Sequence, residues 1–490
     1  MIGWLKSLFG RAAAAPSPRA SSGGGRRLHA SYDAAQTTPE SLPLWTTTDY
    51  LSAKAANNFG VRRTLKIRSR YEAANNSYYR GIVDTVACDL VGTGPRLQVL
   101  TPDPAVNRAV EAAWRSWARA ISLGEKLLTM KKGKTQDGEG FGILVNNPSL
   151  SHAVQLDINV IESDQVTTPN PGFIDYFWVD GVVLDKLGRP IAYHVLKRHP
   201  GDLFYPQLNP LDYDTVPVRH VLHWFRVDRP GQVRGVPEIT PALELFAKLR
   251  RYTSAVIAAA ETAADIAAYV KSVAPADGVT VEPDPFDTLQ IDRGMMVTLP
   301  AGYDIAQLKA EQPTTTYESF VRILLREIAR CLGIPLGIAL GDHSAYNYSS
   351  GRLDHLPYRR QQRVERALCE ANVLDKTLCA WLEEAVMVEG LLPGGLATID
   401  DLPHRWFWDE AESIDPQKDA EAEKTDLENL TVTLAELYAQ RGQDWEEAIR
   451  QRAKELALLK ELGIAPVQAP APAPAKPQRQ PEPEEVRRAT

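Results

Sequence analysis

Cysteine is scarce in this chain: Cys88, Cys331, Cys369 and Cys379 are scattered through 490 residues and form no CxxC pair. That excludes a disulfide-stapled fold and a cysteine-based zinc or redox motif, and the four thiols read as reduced core residues. Long apolar runs are also missing. No stretch approaches the roughly 18 apolar residues that a membrane span needs. In the opening MIGWLKSLFGR, Lys6 and Arg11 interrupt the apolar side before a signal-peptide core of about 7–15 residues forms. Neither a membrane protein nor an exported one is expected. Positive charge is in deficit, with a formal net charge of -7, which argues against a protein whose work is tight, non-specific binding to phosphates.

Catalytic signatures are absent too. The tripeptide Gly133-Lys134-Thr135 imitates the end of a phosphate-cradling loop, but the leading glycine would fall at position 128, which is Leu128, and no clear strand precedes it. The DGEGFG run at 137–142 lacks dinucleotide-loop spacing and reads as glycines in a turn before a strand. His220 and His223, like His194 and His199, lie in strand-like segments, so neither pair has the same-face helical geometry of a zinc protease. No GxSxG elbow occurs, and Asp400-Asp401 and Glu383-Glu384 read as solvated surface. No catalytic residue, metal ligand or cofactor site is expected, and the chain is not expected to be an enzyme.

What remains is an ordinary globular composition, 44% hydrophobic and 24% charged, long enough for several domains. Residues 12–48 are rich in Ala, Ser, Gly, Pro and Thr, and residues 466–490 alternate Pro with Ala and then with Glu and Arg. Neither segment has the apolar surface to order itself, so the folded body is expected between 49 and 463. Helical periodicity runs over 50–91, bringing Tyr71, Tyr78, Ile82, Val86 and Leu90 near one another, with a break at Asn75-Asn76. A helix over 104–120 places Val106, Val110, Trp114 and Trp117 on one core-facing stripe. Strands follow between 140 and 225, including a hairpin around Gly188. A long helix is expected over 237–272. Its second half carries Ala255, Ala259, Ala260, Ala263 and Ala267 among other alanines, small side chains that let neighbouring helices approach closely. After a Pro- and Gly-rich interruption with strand-like GMMVTLP, helix resumes over 316–332. A polar loop at 341–352 leads into a helix over 353–389. Two further helices fill 416–462, divided at Gly442, with Asp444 and Glu447 as a cap signal.

Several strings in order carry a resemblance. NNSYYRGIVDTVACDLVGTGPRLQ at 75–98 is followed by DGVVLDKLGRPIAYHVLKRHPGD at 180–202, HVLHWFRVDRPGQVRGVP at 220–237, GIPLGIALGDHSAYNYSSGR at 333–352 and AQRGQDWEE at 439–447. Together they resemble the lambda-type portal proteins of tailed bacteriophages, over most of the folded body.

The resemblance implies a helix-rich α+β portal fold with wing, stem, clip and crown regions that assembles into a ring, a dodecamer in that family. It implies a flexible arm at 1–48, a wing at 49–236, a stem helix at 237–272, a clip at 273–315 and a second stem helix at 316–332. A tunnel-loop region would follow at 333–352, a tunnel or wing helix with its connection at 353–415, crown helices at 416–463 and a tail at 464–490. In that layout Ser344, Tyr346, Asn347, Tyr348, Ser349 and Arg352 would lie next to DNA, and the alanine stripe would pack the stem ring through a heterologous contact. The implied partners are double-stranded DNA in the channel, the terminase large subunit, the major capsid and scaffolding proteins and a head-tail adaptor, with no membrane. The implied place is the portal vertex of the virion, assembled in the host cytoplasm. An acidic balance suits a conduit whose wall must not stick to a polyanion. The rival classes are a packaging ATPase or nuclease and a shell or scaffold protein.

Overall fold

Asparagine caps organise the start of the fold. In the computed structural model the described residues are 43, 50–168, 178–202, 212–265, 269–272, 303–306, 317–393, 402–409, 416–441 and 445–463. The chain divides into two units, 1–52 and 53–490. In the first, residues 43 and 50–52 are described and exposed; all that follows concerns the second. After the single turn α1 (Ala53–Ala56), Asn58 caps α2 (Phe59–Asn75) by accepting from the Val61 N–H, and Asn76, in an extended conformation, caps α3 (Ser77–Val91) by accepting from the Tyr79 N–H. The expected break therefore falls where Asn75-Asn76 stands. Ile82 and Leu90 are buried as expected, whereas Tyr71 is 54% exposed and lies under the Arg250 guanidinium, on the far side of α2 from the core.

β1 (Arg96–Val99) leads to α4 (Pro104–Ala120), which starts on an Asp103 cap with Pro at its first position. Trp114 and Trp117 are buried, their rings 4.8 Å apart, and Trp381 meets Trp114 edge-on at 5.4 Å; the tryptophans are core. A helix that periodicity did not reveal comes next, α5 (Leu123–Asp137), which carries Gly133-Lys134-Thr135 in its last turns. It ends at Gly138 with φ +94, where a Cβ would overlap the Val236 backbone. β2 (Glu139–Asn146) and β3 (Leu156–Ile161) follow. A Cβ on Gly140 would sit 2.5 Å from the Met130 carbonyl oxygen, so the glycines of the DGEGFG run let β2 lie directly on α5.

β4 (Trp178–Val179), β5 (Val182–Leu184), β6 (Pro190–Leu196) and β7 (Tyr213–Pro217) form an antiparallel sheet in chain order. β2 is the centre of a second sheet between β3 and β8 (Val221–Phe225). The Gly188 hairpin is present, with φ +80 at the glycine. A 3-10 turn at Thr240–Ala242 opens α6 (Leu243–Asp265). The helix expected to reach 272 is shorter: Tyr269–Ser272 is a strand, β9, paired antiparallel with β10 (Tyr303–Ala306), because Tyr269-Val270 after the alanines favours extended backbone. GMMVTLP lies outside the described residues.

α7 (Tyr317–Leu332) and the short α8 (Leu336–Leu340) precede α9 (Tyr348–Cys369), which continues through a π-helical turn at Glu370–Leu374 into α10 (Asp375–Ala385). The helix expected from 353 therefore begins five residues earlier. β11 (His404–Phe407) pairs with β1. The last part holds three helices where two were expected, α11 (Pro416–Glu428), α12 (Leu434–Gln440) and α13 (Trp445–Glu461). The extra start is a capping box: the Glu436 N–H donates to Thr433 Oγ1 at 3.2 Å and the Thr433 N–H to Glu436 Oε2 at 2.9 Å. Asp444 lies outside the described residues.

Among the described residues three apolar cores result, one around the tryptophans, one joining α3, α6, α7 and α8, and one between β2 and the four-stranded sheet. Of the cysteines only Cys369 is fully buried; Cys88 is exposed and the other two are half-buried, which corrects the expectation that all four are core. No described helix is long and apolar enough to cross a membrane.

Candidate nucleic-acid interface

The alanine-bearing helix α6 packs on α7. Phe246 and Leu249 meet Val321, Leu325 and Ile328 in the shared core, and Tyr252 stacks on Tyr317 with centroids 5.7 Å apart. Ile323, 59% exposed, faces away from the buried stripe of α7, whereas Ile257, 53% exposed, continues the Phe246–Thr253 side of α6 one turn past Thr253, which meets Tyr317 at the start of α7. Of the small residues expected to pack the stem, Ala255 is exposed, and Ala259 and Ala260 are half-buried. Ala263 is helical, and Ala267 lies outside the described residues.

Beyond α7 and α8 the chain turns at Gly341, φ +67. The Ser344 N–H donates to Asp342 Oδ1, and the Tyr346 hydroxyl donates to Asp354 Oδ2 at 2.5 Å while accepting from the Gly337 N–H at 3.1 Å. Asn347 closes the loop by accepting from the Ser350 N–H, and Ser350 Oγ accepts from the Asn347 N–H, a capping box with serine in the place usually held by Glu or Gln. Of the six residues read as one loop, Ser344, Tyr346 and Asn347 are in the connection, and Tyr348, Ser349 and Arg352 stand in the first turns of α9. Ser344, Asn347, Ser349 and Arg352 are exposed, and Tyr346 is half-buried.

α9 is fixed to the body along its inner side. The Tyr358 hydroxyl donates to Asp89 Oδ2 at 3.0 Å, and Gln361 donates to the Leu332 carbonyl. Arg366 donates to the carbonyls of Leu90, Asp89 and Asp409. Deeper still, Lys134 Nζ meets Glu238 Oε1 at 2.7 Å and also pairs with Glu365 of α9, while Lys131 Nζ meets Glu238 Oε2 at 2.9 Å. Burial opposes the charge on Lys134, but the two glutamates outweigh it and raise its pKa. Burial likewise opposes the charge on Glu238, and Lys131 and Lys134 outweigh it, holding the carboxyl well below the usual range. The Gly133-Lys134-Thr135 tripeptide thus anchors buried carboxylates where a nucleotide site would need a free loop.

A second buried cluster centres on Glu139. Arg234 contacts both its oxygens, at 2.6 and 2.9 Å, and also donates to the carbonyls of Ser163 and Val166. Arg62 lies 3.3 Å from the same carboxylate and pairs with Asp180. Burial would raise the Glu139 pKa, and Arg234 first among its partners overrides that and drives it well below the usual range. His223 Nε2 is 3.1 Å from Glu139, with the Tyr193 hydroxyl 3.2 Å from its Nδ1; burial pushes this imidazole down to about 4. Nearby, Glu162, Asp164 and His199 bring donor atoms within 4.8 Å of one another, but Arg70 Nη2 sits 3.2 Å from Glu162 and 2.6 Å from Asp164, so that the cation held there is a guanidinium. Sequence reading missed all three charged groups.

The strings in family order are matched by known proteins. The profile of phage portal proteins of the lambda family matches residues 45–366. The probable portal protein of Halomonas phage phiHAP-1 (isolate -/Gulf of Mexico/-/2001) is 24% identical over 430 residues, covering 82% of this chain and 81% of that protein. Among solved structures, the chain is similar to one in the neck of an empty gene transfer agent particle computed with C6 symmetry, at 14% identity and a TM-score of 0.45, covering 76% of this chain and 92% of the other. It is also similar to one in the neck of the native particle computed with C12 symmetry, at 16% identity and a TM-score of 0.43, with the same coverage. The family profile spans most of the body, from ahead of α1 into α9, and on that match the chain belongs to the lambda family of phage portal proteins.

Proposed function

We propose that this chain is the repeating subunit of a ring at the single tail-bearing vertex of a phage capsid, a dodecamer through which double-stranded DNA enters and later leaves. The ring guides DNA passively; a separate terminase supplies the ATP chemistry and docks on it, as do the head-tail adaptor and the capsid and scaffolding proteins. In this reading residues 49–236 are wing, α6 and α7 are the stem helices, β9 and β10 belong to the clip, residues 341–352 face the DNA, and α11 to α13 form the crown. Ring packing then falls to Ala255, Ala259, Ala260, Ala263 and Ala267 and to the apolar residues beside them.

The observation that carries the reading is the family match, with apolar side chains left open on the α6–α7 pair beside it. Ile257 and Ile323 are more than half exposed in a single copy and lie on different sides of the pair, and a heterologous contact, which joins two different surfaces of neighbouring copies, would cover both. Negative-stain microscopy of the purified full-length chain tests it: discrete rings with a hole wide enough for duplex DNA are expected, and lattices or compact monomers would defeat it. The double substitution Ile257→Glu/Ile323→Glu is expected to change the stability of the single subunit by less than about 1 kcal/mol, because both side chains are exposed, while abolishing rings in the same micrographs.

The loop makes a second expectation. Replacing residues 342–346 by a Gly-Ser segment removes the Tyr346–Asp354 bond and is expected to leave rings intact while packaged DNA leaks from particles. Retention equal to wild type in a nuclease-protection assay would remove the loop from the DNA path.

A further inference from the structure

We propose that one exposed face of α9 binds the phosphate backbone of duplex DNA, through Arg359, Arg360 and Arg363 together with Arg352; this rests on the portal reading above. On a helix of 3.6 residues per turn these four side chains fall within a sector of roughly 100° and extend over about 16 Å of helix length. Arg352, Arg360 and Arg363 are exposed and Arg359 is half-buried. The only acidic residues of the helix, Asp354 and Glu365, are on other sides: Glu365 is turned inward onto Lys134 and Asp354 is held by Tyr346. Among the described residues no carboxylate lies within ion-pair distance of Arg359, Arg360 or Arg363.

A chain of net charge -7 therefore carries a local reversal of sign on a surface that is held from behind by Tyr358 and Gln361 and at its edge by Arg366. Guanidinium groups suit phosphate because their planar donor fork matches it, and contacts to the backbone are blind to sequence, as a channel for a whole genome requires. The exposed apolar residues of the same helix are Leu353, Leu356, Val364 and Leu368; Leu356 stands among the arginines, and the other three run on from the Arg360 edge of the sector. Four guanidinium groups outnumber the one leucine inside the sector, so an anion is the occupant that this face fits. Repeated in every copy, the face becomes a belt of cations that resists sliding of the DNA.

The test compares purified full-length rings of wild type, the Arg359→Gln/Arg360→Gln/Arg363→Gln variant and the corresponding triple Lys variant, binding a linear duplex at several NaCl concentrations. Each lost phosphate contact lowers the slope of log affinity against log salt by about 0.9. The Gln variant is therefore expected to form rings, to show a slope smaller by about 2–3 and to bind roughly tenfold or more weakly at low salt. The Lys variant should keep most of the slope. Intact Gln-variant rings with an unchanged slope would overturn the proposal and leave the portal reading standing. Loss of rings in both variants, with wild-type rings normal, would assign the face to a contact between copies and overturn it as well. Failure of the wild type to form rings would overturn the portal reading itself, and the proposal with it.

Discussion

Glu139→Gln is expected to lower the unfolding free energy of the subunit by about 3–5 kcal/mol, because it leaves Arg62 and Arg234 buried beside a group that no longer carries the compensating charge. Both arginines have 3% or less of their side chains exposed and the glutamate has none, so water cannot replace the lost partner. Urea unfolding followed by tryptophan fluorescence measures the effect, and a shift in midpoint no larger than that of a surface substitution would show that the cluster relaxes around the loss.

The same cluster sets an acid limit. His223 is neutral when folded, with its pKa pushed from 6.5 to about 4 by burial. The unfolded chain therefore takes up a proton that the folded chain refuses, and stability falls as pH drops from about 6.5 towards about 4. The total is about 3 kcal/mol for such a shift. Below the usual carboxylate range Glu139 adds to the loss, since its pKa is depressed on folding and its contribution disappears as it protonates. His223→Gln is expected to flatten the stability curve between pH 6.5 and 4.5 and to leave the steeper fall below it. An unaltered curve would place the proton uptake elsewhere.

The second large effect is expected at Lys134. Lys134→Ala leaves Glu238 and Glu365 with only Lys131 between them, at 2.9 and 3.8 Å, and is expected to cost about 3 kcal/mol or more. Adding Glu365→Gln removes one of the orphaned charges and should restore part of that loss. A double-mutant cycle on the urea midpoints reads the coupling, and additive losses would show that Lys134 acts through Glu238 alone.

These buried ions also explain what was legible in the letters. The stripe of α4 was visible because Val110, Trp114 and Trp117 are apolar, and the Asn76 break because asparagine caps helices. The buried side of α5 is just as periodic, with Leu123, Leu127, Met130, Lys131 and Lys134, but two of its positions are lysines that a sequence reader assigns to solvent; only their partners, about a hundred and more residues away, make them core. Glu139 and Arg234 pose the same problem. Near the loop the obstacle was local: Asn347-x-x-Ser350 is a capping box without its usual acid, so the start of α9 read as loop. At Thr433-x-x-Glu436 the usual signal is present in the letters, one helix ahead of the pair Asp444 and Glu447.

The clasp at Lys134 has a topological consequence. Glu238 precedes α6 and Glu365 lies well along α9, and both carboxylates are gripped by one ammonium group, so two points of the chain more than a hundred residues apart are pinned together on α5. A change of chain length next to β9 or β10 therefore leaves both ends of the intervening segment knotted to the same lysine.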